Sequence, residues 1–169
     1  MGGMVALEIM RFAPERVTKL ALIDTNARPD TPEQSAQRRA ANAAILEAED
    51  LAAVAAQGIA HMIDASSGER VRRAMIEMAV RVGAATYARQ NNAMLARQDL
   101  RPVLPTIRVP TIVVVGENDR LTPLACSEEI RDGVAGATLH VIPDCGHLPP
   151  IERPNELAPL LKEWLQISR

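Results

Sequence analysis

Apolar residues recur at helical spacing over residues 2 to 13, where Val5, Ala6, Ile9, Met10 and Ala13 share a face, and Pro14 then denies the helix another turn. The next run, Leu20-Ala21-Leu22-Ile23, is unbroken and ends at Asp24, which predicts a short strand covered on both faces, as in a parallel sheet. Helix followed by buried strand predicts an α/β fold. From Thr31 the pattern turns to Ala-rich amphipathic helices. Thr31 is placed to cap the first, with Pro32 at its opening position. Asp50 and Ser67 are placed to cap the second and third, and Gly83 interrupts the stretch from Glu69 to Arg97. Residues 31 to 101 therefore read as a helical insertion, a lid, closed off by Asp99-Leu100-Arg101-Pro102 and Pro105. Pro110 leads into Thr111-Ile112-Val113-Val114-Val115, a β-branched apolar strand. Gly116 opens a loop, Pro123 starts a helix to about Val134, and Thr138 to Ile142 forms a further strand. Pro154 starts a last helix carrying Leu157, Leu160, Leu161, Trp164 and Leu165. No repeat and no Gly/Ser-rich linker divides the chain, so residues 1–169 are expected to fold as one unit.

Composition narrows the function classes. With 169 residues, 47% hydrophobic and 24% charged, the chain is long enough for one sizeable core. Aromatics are few: Phe12, Tyr87 and Trp164. Nineteen basic against 21 acidic residues give a net charge of −2, no field for nucleic acid or an anionic membrane, so the expected partner is a small-molecule substrate or ligand. No apolar run approaches the ~18–20 residues of a membrane span and no signal pattern opens the chain. Ala6 stands where a myristoylation motif wants Ser or Thr. Cys126 and Cys145 make no disulfide framework, and a cytoplasmic location is expected. Nothing resembles a metal cluster or a phosphate-cradling loop, so neither metal nor cofactor is expected.

The residues that carry chemistry lie late in the chain. Asp119 follows a buried strand, where a loop carboxylate reaches into the crevice at the strand's carboxyl end; alone, it is a common turn former. His147 follows the next strand in a Gly-His loop stiffened by Pro149-Pro150. The two side chains thus meet at one sheet edge, where a carboxylate fixes the imidazole tautomer and the other ring nitrogen moves a proton. Asp24, at the end of the first strand, is an alternative acid whose plain reading is a strand-end cap. Ser35, Ser66, Ser67 and Ser127 read as cap or turn residues, none on a sharp strand-to-helix turn between glycines. Cys145 is too near His147 in sequence for both side chains to aim at one atom. His61 and His140 have no motif around them, and Arg70, Arg72, Arg73 and Arg81 alternate with Glu69 and Glu77 as on a solvated helix face. Met62, Met75, Met78 and Met94 suit a pocket lining or a core equally.

Two segments in combination, Val113-Val114-Val115-Gly116-Glu117-Asn118-Asp119-Arg120-Leu121-Thr122-Pro123 and Ile142-Pro143-Asp144-Cys145-Gly146-His147-Leu148-Pro149-Pro150-Ile151-Glu152-Arg153-Pro154, resemble the carboxyl-terminal part of an α/β-hydrolase-fold enzyme of the bacterial esterase and lactonase-like kind. Phe12-Ala13-Pro14-Glu15-Arg16-Val17 strengthens a resemblance that spans nearly the whole chain. It implies an incomplete α/β-hydrolase fold: carboxyl-terminal parallel strands, flanking helices and a helical lid. It implies Asp119 as acid and His147 as base of a Ser-His-Asp relay cleaving esters or lactones, with Asp24 as the alternative because some enzymes of this fold carry their acid there. Met1-Gly2 matches the last two positions of the family's Gly-x-Ser-x-Gly elbow, which implies a serine one residue before Met1 and an oxyanion-hole amide at Met1. The expectation is an amino-terminally truncated or inactive hydrolase; the alternative is a non-catalytic module that keeps the lid and binds a ligand or partner. In the family's strand order, the nucleophile's strand pairs with the one at Leu20 to Ile23, so self-association through that edge is expected.

Overall fold

The computed structural model describes residues 1–167. Its sheet is built on β2 (Thr111–Gly116), every residue of which is buried. β1 (Leu20–Ile23) and β3 (Thr138–Ile142) pair with it in parallel on either side, in the order β1-β2-β3. Because side chains alternate along a strand, β2 feeds two cores. Val113 joins Leu22 with Leu7 and Met10 of helix α1 (Gly2–Phe12) and Ile130 of helix α6 (Leu124–Gly133). Ile112 and Val114 face the other way, onto Ile142, Cys145 and Leu157 of helix α8 (Pro154–Gln166), with Trp164 alongside.

Two readings at the start of the chain are corrected. β1 is not covered on both faces: Leu20 and Leu22 are buried while Ala21 and Ile23 are only half-buried, and among the described residues β1 pairs with β2 alone. Helix α1 buries Met4, Leu7 and Met10, whereas Val5 and Ile9 are 53% and 44% exposed. Apolar residues surround this helix, so spacing leaves its rotation open. A close approach settles it, since a Cβ on Gly3 would lie 2.6 Å from the Thr25 side chain.

Between β1 and β2 run α2 (Pro32–Leu46), α3 (Leu51–Met62), α4 (Glu69–Val82) and α5 (Ala84–Leu95), followed by a 3-10 segment, Arg101–Thr106. Thr31 caps α2 in a reciprocal box with Gln34, and the Asp50 carboxylate accepts from the Ala52 and Ala53 amides. Gly83 turns α4 into α5 at φ +76°, a conformation that suits glycine. Ser67 is not the cap of α4; Gly68 holds that position and the Ser67 hydroxyl goes elsewhere. Ala55, Ile59, Ile63, Val71 and Met75 form a core of their own between α3 and α4, with Leu148 and Ile151 packed against it. Met78 is exposed. Leu148 caps, and Ile151 belongs to, a four-residue helix, α7 (Pro149–Glu152), too short for periodicity to reveal. No helix among the described residues is long and apolar enough to cross a membrane.

Candidate active site

The loops after β1, β2 and β3 deliver Asp24, Asp119 and His147 to the carboxyl edge of the sheet. Asp119 is buried and fully engaged. Its Oδ1 accepts from the amides of Leu121 and Thr122 at 2.8 and 3.0 Å, and its Oδ2 accepts from Thr122 Oγ1 at 2.6 Å and His147 Nδ1 at 2.8 Å. Burial opposes its charge, but the hydrogen bond and charge of His147 and the two Thr122 donors outweigh that, and the carboxyl sits below its ordinary range. With Nδ1 donating to a carboxylate, Nε2 of the neutral ring is left as the proton acceptor.

Glycine is required where the loops touch. A Cβ on Gly116 would lie 2.0 Å from the Gly146 carbonyl oxygen, and one on Gly146 would lie 2.4 Å from the Met62 carbonyl oxygen. The His147 loop is thus wedged between the end of β2 and the turn joining α3 to α4. The His147 amide donates to the Met62 carbonyl at 2.7 Å. Buried Glu152 completes the join: its Oε2 accepts from the Asp64 amide, Ser67 Oγ and the Gly146 amide at 2.7, 2.7 and 3.1 Å, and its Oε1 from the Leu148 amide at 3.0 Å. Asp64 in turn accepts from Asn118 Nδ2 at 2.7 Å, next to the acid. The turn joining α3 to α4 therefore ties the Asp119 and His147 loops together. Glu152, Asp64, Asn118 and Ser67 were not singled out as site residues from sequence. The one local signal was a glutamate closing a Pro-Pro helix start, able to reach back to the amide of the capping residue.

Asp24 stands apart from His147's hydrogen bond. It is held at φ +44°, its Oδ1 accepts from the Gly116 amide at 2.9 Å, and its buried Oδ2 finds no partner among the described residues. Burial, helped by the nearby Asp119 charge, pushes its carboxyl up to about 8. At neutral pH Asp24 is a protonated acid, and Asp119 is the charged partner of the imidazole. Asp24, Asp119 and His147 each present an atom within 4.8 Å of the others, close enough to share a metal ion. Both Asp119 oxygens are already taken by protein donors, which such an ion would have to displace.

A cleft of about 680 Å³ opens beside His147, lined also by Met1, Asp24, His61, Met62 and Met94. Met1 is the capping residue of α1, and its carbonyl accepts from the Met4 and Val5 amides. Thr122 and Tyr87 bring hydroxyls to the lining, but no serine or cysteine does among the described residues. Cys145 is buried, and burial pushes its thiol up to about 12, so it holds no thiolate. A second hollow, about 620 Å³, lies at the amino ends of the strands between Pro14, Val109 and Gly136, far from the acid and base.

The model of the alpha/beta hydrolase family matches residues 1–160. The chain belongs to the alpha/beta hydrolase family. A curated relative from Aromatoleum aromaticum, a pimeloyl-[acyl-carrier protein] methyl ester esterase, is 29% identical over 96% of this chain and 70% of its own length. Among solved structures, a thermophilic esterase from Thermogutta terrifontis with malate bound superposes with a TM-score of 0.90 at 30% identity, over 98% of this chain. The enol-lactonase of Burkholderia xenovorans gives 0.86 at 27% identity over 99%. The chain spans 61% and 63% of those two proteins, so it is a partial α/β-hydrolase fold with esterase- and lactonase-like neighbours.

Proposed function

We propose that this chain carries the acid and base of an ester- or lactone-cleaving acyl-transfer site whose nucleophile is not among its 169 residues. The observation that carries this reading is the 2.8 Å bond from His147 Nδ1 to a buried, ionised Asp119 at the edge of a cleft. A nucleophilic hydroxyl presented to Nε2 would give its proton to His147 as it attacks the acyl carbon. Asp119 stabilises the imidazolium, which then protonates the departing alcohol, and water releases the acyl group by the same proton route. The backbone at Met1 is the proposed oxyanion donor; Asp24, protonated, is not the proposed acid. The esterase and lactonase relatives support this substrate class.

Absence of a triad nucleophile costs on the order of 10⁶ in turnover. The 169-residue chain is therefore expected neither to release p-nitrophenol from p-nitrophenyl butyrate nor to gain mass with a fluorophosphonate. Saturable turnover together with an adduct on one internal hydroxyl would overturn the proposal. Ligand binding without turnover is the behaviour the non-catalytic reading shares.

The proposal extends to assembly. The β1 edge lies beside an α1 face on which Val5, Ile9 and Phe12 are exposed, Phe12 at 72%. Self-association through this region predicts a light-scattering mass that rises with concentration and returns to the 18.3 kDa monomer when the three are changed to serine. A concentration-independent monomer would contradict it.

A further inference from the structure

The cleft beside His147 is cationic in a protein whose net charge is −2. Arg38, Arg97 and Arg120 line it, and its lining carboxyls are Asp24 and Asp30 alone. Asp24 keeps its proton to about pH 8, which leaves Asp30 as the ionised one. Asp30 is deeply buried, its side chain 2% exposed, and two guanidiniums share it. Arg38 Nε and Nη2 reach its two oxygens at 2.8 and 3.2 Å, and Arg97 Nη2 reaches Oδ1 at 2.8 Å. Two cations against one anion leave a positive charge in place.

Arg97 is the unsatisfied member. Its side chain is 8% exposed, its Nε donates to the Arg28 carbonyl, and its buried Nη1 has no acceptor among the described residues. Arg38 is better served, since its Nη1 donates to Asn91 Oδ1 at 3.0 Å. A guanidinium donor withdrawn from water without an acceptor is costly, and a planar carboxylate is the group whose geometry matches it. Amides of Gln34, Gln37, Gln90 and Asn91 share the lining with the apolar side chains of Met4 and Met94.

We propose that the cleft takes a substrate bearing a free carboxylate, seated on Arg97 and Arg38, with its ester or lactone carbonyl directed to His147. This rests on the reading of the cleft as the substrate site, and it assigns the substrate class to half-esters or lactones of dicarboxylic acids. The remaining positive charge draws such anions in from solution.

Binding without turnover tests this, so it stands or falls apart from the relay. The intact chain is titrated by NMR with succinate, monomethyl succinate, dimethyl succinate and inorganic phosphate, following the His147 ring and the Met62 and Met94 methyl signals. Succinate and monomethyl succinate are expected to bind saturably, more weakly as sodium chloride rises, and dimethyl succinate at least about tenfold more weakly. Arg97→Gln is expected to weaken monomethyl succinate by about tenfold or more and to leave dimethyl succinate unchanged. Arg38→Gln provides the same reading if the Arg97 variant does not fold. Equal binding of dimethyl succinate, equal binding of phosphate, no binding of any probe, or unchanged affinity in the folded arginine variants would each overturn the assignment.

Discussion

Glu152→Ala is expected to lower the stability of this chain substantially, although Glu152 makes no hydrogen bond with Asp119 or the His147 ring. The alanine removes the acceptor of four donors, from Asp64, Ser67, Gly146 and Leu148, all gathered at one buried point. Donors left in place without water or partner cost about 1 kcal/mol or more each, so the loss is about 3–5 kcal/mol, or roughly 10 °C in Tm for a domain of this size. The damage also has a direction. With the α3–α4 turn released, the His147 loop loses its support on that side, and hydrogen exchange rises first at Asp64, Gly146 and His147. Glu152→Gln keeps one acceptor oxygen for the three donors at Oε2 but turns its NH2 against the Leu148 amide, and falls between the two. Thermal melting followed by circular dichroism checks the order; a Glu152→Ala chain that melts with the parent would show that the four bonds contribute nothing net.

Asp24→Asn has the opposite sign, and its size depends on pH. Asp24 has an ordinary pKa of 3.8 when the chain is unfolded and about 8 when it is folded. Between those values the folded protein holds a proton that the unfolded chain has released. Stability from this group is therefore complete below about pH 4 and drains away as pH rises toward 8. Asparagine has no such proton to lose, accepts the Gly116 amide through its own oxygen, and tolerates a φ of +44° better than most residues. The variant is expected to match the parent near pH 4 and to exceed it at pH 8 by several kcal/mol, at most about 5. Asp119 runs the other way: its depressed pKa makes a contribution that is present above the unfolded value and lost in acid, and this acid limb stays unchanged in Asp24→Asn. Denaturant titrations across pH measure both limbs. Parallel stability curves for parent and variant would show that Asp24 is ionised in the folded protein.

These effects mark where sequence reading stops. β2 was legible because five successive β-branched residues between Pro110 and Gly116 permit little else, and the positions of Asp119 and His147 followed once two parallel strands were placed. The caps at Thr31 and Asp50 were legible because they act within a few residues. Glu152 was not, since its partner amide at Asp64 lies 88 residues away and only folding brings it there. The protonation of Asp24 depends on burial and on the charge of a second carboxylate from a different strand. Ser67 looks like a cap in sequence because serine before a helix usually is one; here Gly68 takes that place and frees the hydroxyl for Glu152. The arginines that line the cleft carried no motif, and the Asp30 that gathers them sits between the first strand and the first helix of the insertion.

The low-field NMR signal of the His147 ring proton tests the central claim most directly. A proton on Nδ1 held between imidazole and an ionised, buried carboxylate resonates far below the amide region and exchanges slowly. The pairing of His147 with Asp119 predicts that signal in the unmodified chain and in Asp24→Asn, and its loss in Asp119→Asn. A signal that survives in Asp119→Asn and disappears in Asp24→Asn would contradict it, and would make Asp24 the partner of the base.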